Sequence, residues 1–195
     1  VSNTALADYA VIAEGSNAYT LTLSDTSVTA GDLKTLDIKT SGLITATAMS
    51  SLTGAYADAY AVLTSEGISR NSVAESIAVT VSSSESLNVS QVNALDALSS
   101  VGVITAKVST GTMAELGGLT TTGAGNAYSI KVTDAGVDVG ALNTLDGKTT
   151  VAVDATLVTA LTATNQQVGA LTTAYGSSGI NGLGDETITV SGGSI

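Results

Sequence analysis

Two acidic stretches hold the side chains with the clearest chemical capacity. "SDTSVT" contains Asp25, and "TDAGVD" contains Asp134 and Asp138. Carboxylate oxygen in a tight turn is the donor that calcium prefers. Neither stretch has the EF-hand spacing or the Gly-Gly-x-Gly-x-Asp repeat, so calcium at Asp25 and Asp134 competes with a plainer expectation of solvated turn carboxylates. Asp37, Asp96 and Asp146 each follow a leucine. A residue recurring at the end of a repeated helix is expected to be structural.

Catalysis finds little to work with. Serine and threonine are plentiful, but the chain has no His to act as base and no Gly-x-Ser-x-Gly elbow. "GSSGINGLGDE" lacks the Gly-Lys-Ser/Thr ending of a phosphate loop and the glycine spacing of a dinucleotide site. The acidic residues are scattered and not gathered as a glycosidase pair requires. No enzyme activity and no cofactor other than calcium is expected. Tyr9, Tyr56, Tyr60 and Tyr175 could line a glycan-binding face, although helix-stripe packing is the stronger expectation for them, and Tyr19 and Tyr128 recur at strand starts. The net charge of −11 repels nucleic acid and anionic lipid. No apolar run approaches the roughly 20 residues of a membrane span.

The elements that carry these residues repeat. The two Asn-Ala-Tyr tripeptides begin at Asn17 and Asn126, 109 residues apart, and the Leu-Asp pairs ending at Asp37, Asp96 and Asp146 divide that period into steps of 59 and 50. Eight residues before each of those aspartates stands a capping side chain: Thr29, Asn88 or Asp138. Apolar residues flank each cap at the spacing of a hydrophobic staple: Val28 with Leu33, Leu87 with Val92, and Val137 with Leu142. Leu36, Leu95 and Leu145 extend the same faces, which predicts three helices of about two turns.

Alternating β-branched segments flank these helices. They centre near Leu21, Ile44, Val79, Ile104, Ile130, Ala152 and Thr189 and predict seven strands about 28 residues apart. Longer helices are expected over Leu52, Tyr56, Tyr60 and Leu63, and over Val168, Leu171 and Tyr175, stopping at Gly67 and Gly179. With no Phe, Trp, Pro or Cys, the core must be thin and layered. The fold class is therefore α/β: a repeat solenoid with a parallel β-sheet on one side and short helices on the other. Residues 1–195 are expected to form a single elongated array, with units of about 17–125 and 126–195. The alternative is a string of small β-sandwiches, which would require the helix stripes to be misread.

The phrases "ALNTLDGKTTVAVDA", "GNAYSIKVTD" and "AYGSSGINGLGDETITVSG" resemble the tandem repeats of very large extracellular and cell-surface proteins of marine cyanobacteria and other bacteria. The resemblance covers essentially the whole chain. It implies a secreted structural or adhesive array at the cell surface and carries no catalytic residues. The chain opens at Val1 without an initiator Met, and "ETITVSGGSI" matches "ESIAVTVSSSES" from Glu75 and stops before its helix. The expectation is a processed or excised chain whose ends fall in mid-repeat. Its function would be a self-assembling filament or surface-layer component, with copies meeting head to tail through Leu6, Tyr9 and Ile12 at one end and Ile188 and Val190 at the other. The competing expectation is a segment of a giant adhesin or phage fibre that binds glycans or another cell.

Overall fold

The computed structural model describes residues 4–12, 17–70, 76–121, 125–176 and 178–192. Val1, Glu75 and the last three residues, cited above for the limits of the repeat, lie outside them. The chain divides into two compact units, Val1–Glu85 with Ala94–Thr105 and Ser86–Asn93 with Ala106–Ile195. The chain passes from one to the other within one helix and one strand.

In the first unit, a 3-10 helix over Leu6–Val11 precedes β1 (Leu21–Thr22), β2 (Ser27–Thr29), α1 (Ala30–Ile38), β3 (Ile44–Ala46) and β4 (Ser51–Gly54). Then come α2 (Tyr56–Thr64), β5 (Ile68–Arg70), β6 (Ile77–Val81), the end of α3 (Val89–Asp96) and most of β7 (Val101–Lys107). β1, β3 and β5 form one parallel sheet, and β2, β4, β6 and β7 are neighbours in another. A partner lies roughly two dozen residues further along the chain, room enough for the crossover that parallel strands need.

The registers explain the small-residue core. Val28, Leu52 and Val79 lie opposite one another, and Ile104 opposite Val79, all buried. Leu21, Ile44 and Ile68 form a second buried row. β-branched and leucine side chains stacked strand upon strand fill a narrow layer without aromatic bulk. α1 packs on β2, β4 and α2, buries Ala30, Leu33 and Leu36, and leaves Ile38 72% exposed.

The second unit contains α4 (Met113–Leu116), β8 (Ala127–Ser129), β9 (Gly136–Asp138), α5 (Val139–Asp146), β10 (Val153–Asp154) and β11 (Ala160–Thr164). A 3-10 turn over Asn165–Gln167, α6 (Val168–Gly176), β12 (Ile180–Asn181) and β13 (Thr187–Ser191) complete it. β9, β11 and β13 form one parallel sheet and β10 and β12 another. Val137, Leu161 and Ile188 lie opposite one another.

The chain is thus α/β with parallel sheets and helices, and the β-sandwich alternative is not met. Two expectations change. The single row of seven strands is replaced by several short sheets, because β2, β4, β5, β9, β11 and β12 add strands that the pattern search passed over. The helix expected from Leu52 begins at Tyr56, since Leu52 belongs to β4.

Candidate functional site

The expected caps occupy the starts of their helices. Asp138 accepts the Ala141 N–H at 2.9 Å. Asn88 accepts the Gln91 N–H at 2.9 Å while Gln91 Oε1 accepts the Asn88 N–H at 3.0 Å, a reciprocal capping box. Thr29 stands at the start of α1, but its hydroxyl donates to Asp32 and accepts no backbone N–H.

Asp25 and Asp134, weighed in the sequence between calcium and plain turn carboxylates, each hold a helix start. Asp25 Oδ2 accepts the N–H of Leu6, first residue of its 3-10 helix, at 2.6 Å, and Asp134 Oδ2 accepts that of Met113, first residue of α4, at 2.5 Å. Glu85, unnoticed in the sequence, does the same for Tyr56 of α2 at 2.8 Å. Each carboxylate comes from a later stretch of chain and satisfies a donor that a helix start leaves open. Among the described residues no group of three His, Cys, Asp or Glu could hold a metal ion.

The recurrent residues bind one stretch of chain to the next. Thr40 Oγ1 accepts the Tyr19 N–H at 2.8 Å and the Gly42 N–H at 2.9 Å, and lies 2.9 Å from the Tyr19 carbonyl. Thr149 repeats this with Tyr128 and Val151 at 2.9 and 3.1 Å. Three residues before the Leu-Asp aspartates, Lys34 pairs with Asp58 at 2.6 Å, Asn93 donates to the Gly118 carbonyl at 2.8 Å, and Asn143 donates to that of Ala170 at 2.9 Å. Asp37 accepts the Ser65 hydroxyl at 2.8 Å.

One carboxylate is strongly perturbed. Asp154 is held at about 2, below its ordinary 3.8, first by the hydrogen bond from Lys131 Nζ at 2.7 Å and then by the hydroxyl and N–H of Thr156. A pKa lowered by folding contributes stability that is present above the unfolded value and is lost as pH falls through about 2. In a carboxyl titration followed by NMR, Asp154 is expected to show a midpoint near 2, and Lys131→Met to move it up toward 3.8. An unchanged midpoint in the variant would contradict the assignment to Lys131.

Two surfaces among the described residues bear on association. Every residue of β13 is exposed, unlike any other described strand, and Ile188 and Val190 are each 46% exposed. In register, Ile188 occupies the position opposite Leu161 that Val79 occupies opposite Leu52. Val79 is buried because β7 covers the other edge of β6. The text match of Ile188 with Ile77 is therefore two residues out. Just before β13, buried Glu186 accepts the Tyr175 hydroxyl at 2.5 Å and the Gly184 N–H at 3.0 Å, anchoring the strand's start. That bond pushes the Tyr175 hydroxyl up to about 12.

The second surface is a cleft of about 500 Å³ in the first unit. β2 and α1 wall one side with Val28, Thr29 and Leu36, and Leu6, Ala7 and Ala10 wall the other. Of the residues expected at this contact, Leu6 is half-buried in the cleft wall and Ile12 is half-buried outside it. Tyr9 is buried, and its hydroxyl donates to the Thr22 carbonyl at 3.0 Å, so its main role is internal.

Fold and surfaces together define an α/β protein of short parallel sheets with an uncovered strand edge. No family model, curated protein or solved structure matches the chain.

Proposed function

We propose that this chain is a structural protein, an α/β solenoid whose copies associate head to tail into an extracellular filament or surface layer. The observation that carries the reading is β13, five residues long, paired with β11 along one edge and exposed along its length, with Ile188 and Val190 uncovered. An edge strand with unpaired N–H and C=O groups beside apolar side chains is a template for another strand. Association of unlike surfaces does not close, so it propagates. The regular spacing of parallel partners and the recurrent Thr40 and Thr149 clamps support stacked turns. The resemblance to giant cell-surface repeats supports the extracellular setting, and the net charge of −11 would keep filament sides apart. Electron microscopy of the purified chain is the test: filaments that lengthen with concentration are expected, and uniform single particles at every concentration would overturn self-association.

A further inference from the structure

The self-association just proposed leaves the receiving surface unnamed. We propose that β13 of one copy adds as a parallel strand to the open edge of β2 in a second copy, filling the cleft between β2, α1 and the Leu6–Val11 helix. This site rests on that reading and makes it specific.

Direction is the first argument. β2 is an edge strand of its sheet and the first of it in chain order; β13 is an edge strand of its sheet and the last of it in chain order. With each of these registers parallel, the sheet progression continues only where a last-strand edge meets a first-strand edge. β2 and β13 are one of each.

Register is the second. Placing Ile188 opposite Val28 sets Thr187 against Ser27 and Thr189 against Thr29. The buried row Val137, Leu161, Ile188 then runs directly into Val28, Leu52, Val79, Ile104. Ile188 would gain the cover that Val79 already has from β7. Such addition of an extended segment to a free sheet edge draws affinity from the backbone and specificity from alternate side chains.

β2 also differs from β9, the first strand of its own sheet. Near β9, Lys148 Nζ donates to the Gly117 and Leu119 carbonyls at 3.0 and 2.5 Å, drawing α5 onto the segment after α4. Near β2, the lysine 109 residues earlier, Lys39, reaches the Ala10 carbonyl at only 3.4 Å, and there the cleft stands open.

The chain has no cysteine, so a designed disulfide reports this contact cleanly. Ser27 and Thr187 are both exposed, and opposed residues of adjacent strands lie within disulfide reach. Oxidation of the Ser27→Cys, Thr187→Cys double variant should give a ladder of covalent multimers on a non-reducing gel, abolished by reductant, while either single variant, whose cysteine faces no second cysteine at this contact, gives no ladder. A double variant that forms filaments by microscopy but no ladder would overturn the cleft as receptor and leave self-association standing. A disulfide confined to the monomer would also overturn it. Absence of both ladder and filaments, in the variant and in the unmodified chain, would overturn the self-association reading and this site with it.

Discussion

Leu33→Ala is expected to lower the stability of the chain by about 3 kcal/mol, whereas Ile38→Ala on the same helix should change it by less than about 0.5 kcal/mol. Leu33 is fully buried where α1 meets β2, β4 and α2, and a truncated leucine there loses its transfer energy and leaves a cavity in a layer one side chain thick. Ile38 is 72% exposed and has little burial to lose. Urea unfolding followed by circular dichroism measures both. Equal effects would mean that the buried stripe of α1 does not face the sheets as described.

Gly42→Ala should cost about 3 kcal/mol, while Gly169→Ala should be neutral or add about 0.5 kcal/mol of stability. A Cβ at Gly42 would lie 2.6 Å from the carbonyl carbon of Tyr19. That peptide cannot retreat, because the Thr40 hydroxyl holds the Tyr19 N–H at 2.8 Å, and Gly42 donates its own N–H to the same oxygen. At Gly169, within α6, an added Cβ meets nothing within 4 Å, and alanine has the better helix propensity. The shift in thermal unfolding midpoint of the two variants should therefore differ in size and, at the upper estimate for Gly169→Ala, in sign. A tolerated Gly42→Ala would contradict the close approach of the two stretches.

Much of this was legible because the period-109 repeat is written in residues that form bonds. The Asn-Ala-Tyr tripeptides mark the strand entries that Thr40 and Thr149 clamp, and the Leu-Asp pairs mark helix ends, so aligning the text found real equivalences. The caps at Asn88 and Asp138 followed from local chemistry alone. What escaped was long-range or very short. β2 offers three residues, Ser27–Thr29, too few for alternation to stand out beside the turn that holds Asp25. Leu52 fitted a helical spacing with Tyr56 and Tyr60 but is drawn into β4 by its register with Val28 and Val79. Asp25, Asp134 and Glu85 look like free turn carboxylates until their partners, Leu6, Met113 and Tyr56, are brought beside them from about 20 to 30 residues away. The sequence points to Ile188 and Val190 as contact residues, but only the registers make them equivalent to Val79 and Val81. Tyr9 shares the first segment with Leu6 and Ile12, and its burial and the bond from its hydroxyl to the Thr22 carbonyl are visible only in the fold.

The most direct measurement is sedimentation velocity of the unmodified chain and of the Ile188→Lys, Val190→Lys double variant across a wide concentration range. Both substitutions fall on exposed positions, so the variant should keep its fold while placing two charges on the strand edge. The unmodified chain is expected to sediment as a series of species growing with concentration, and the variant to remain a monomer. A monomeric unmodified chain at every concentration, or a variant that assembles as well as the parent, would contradict it.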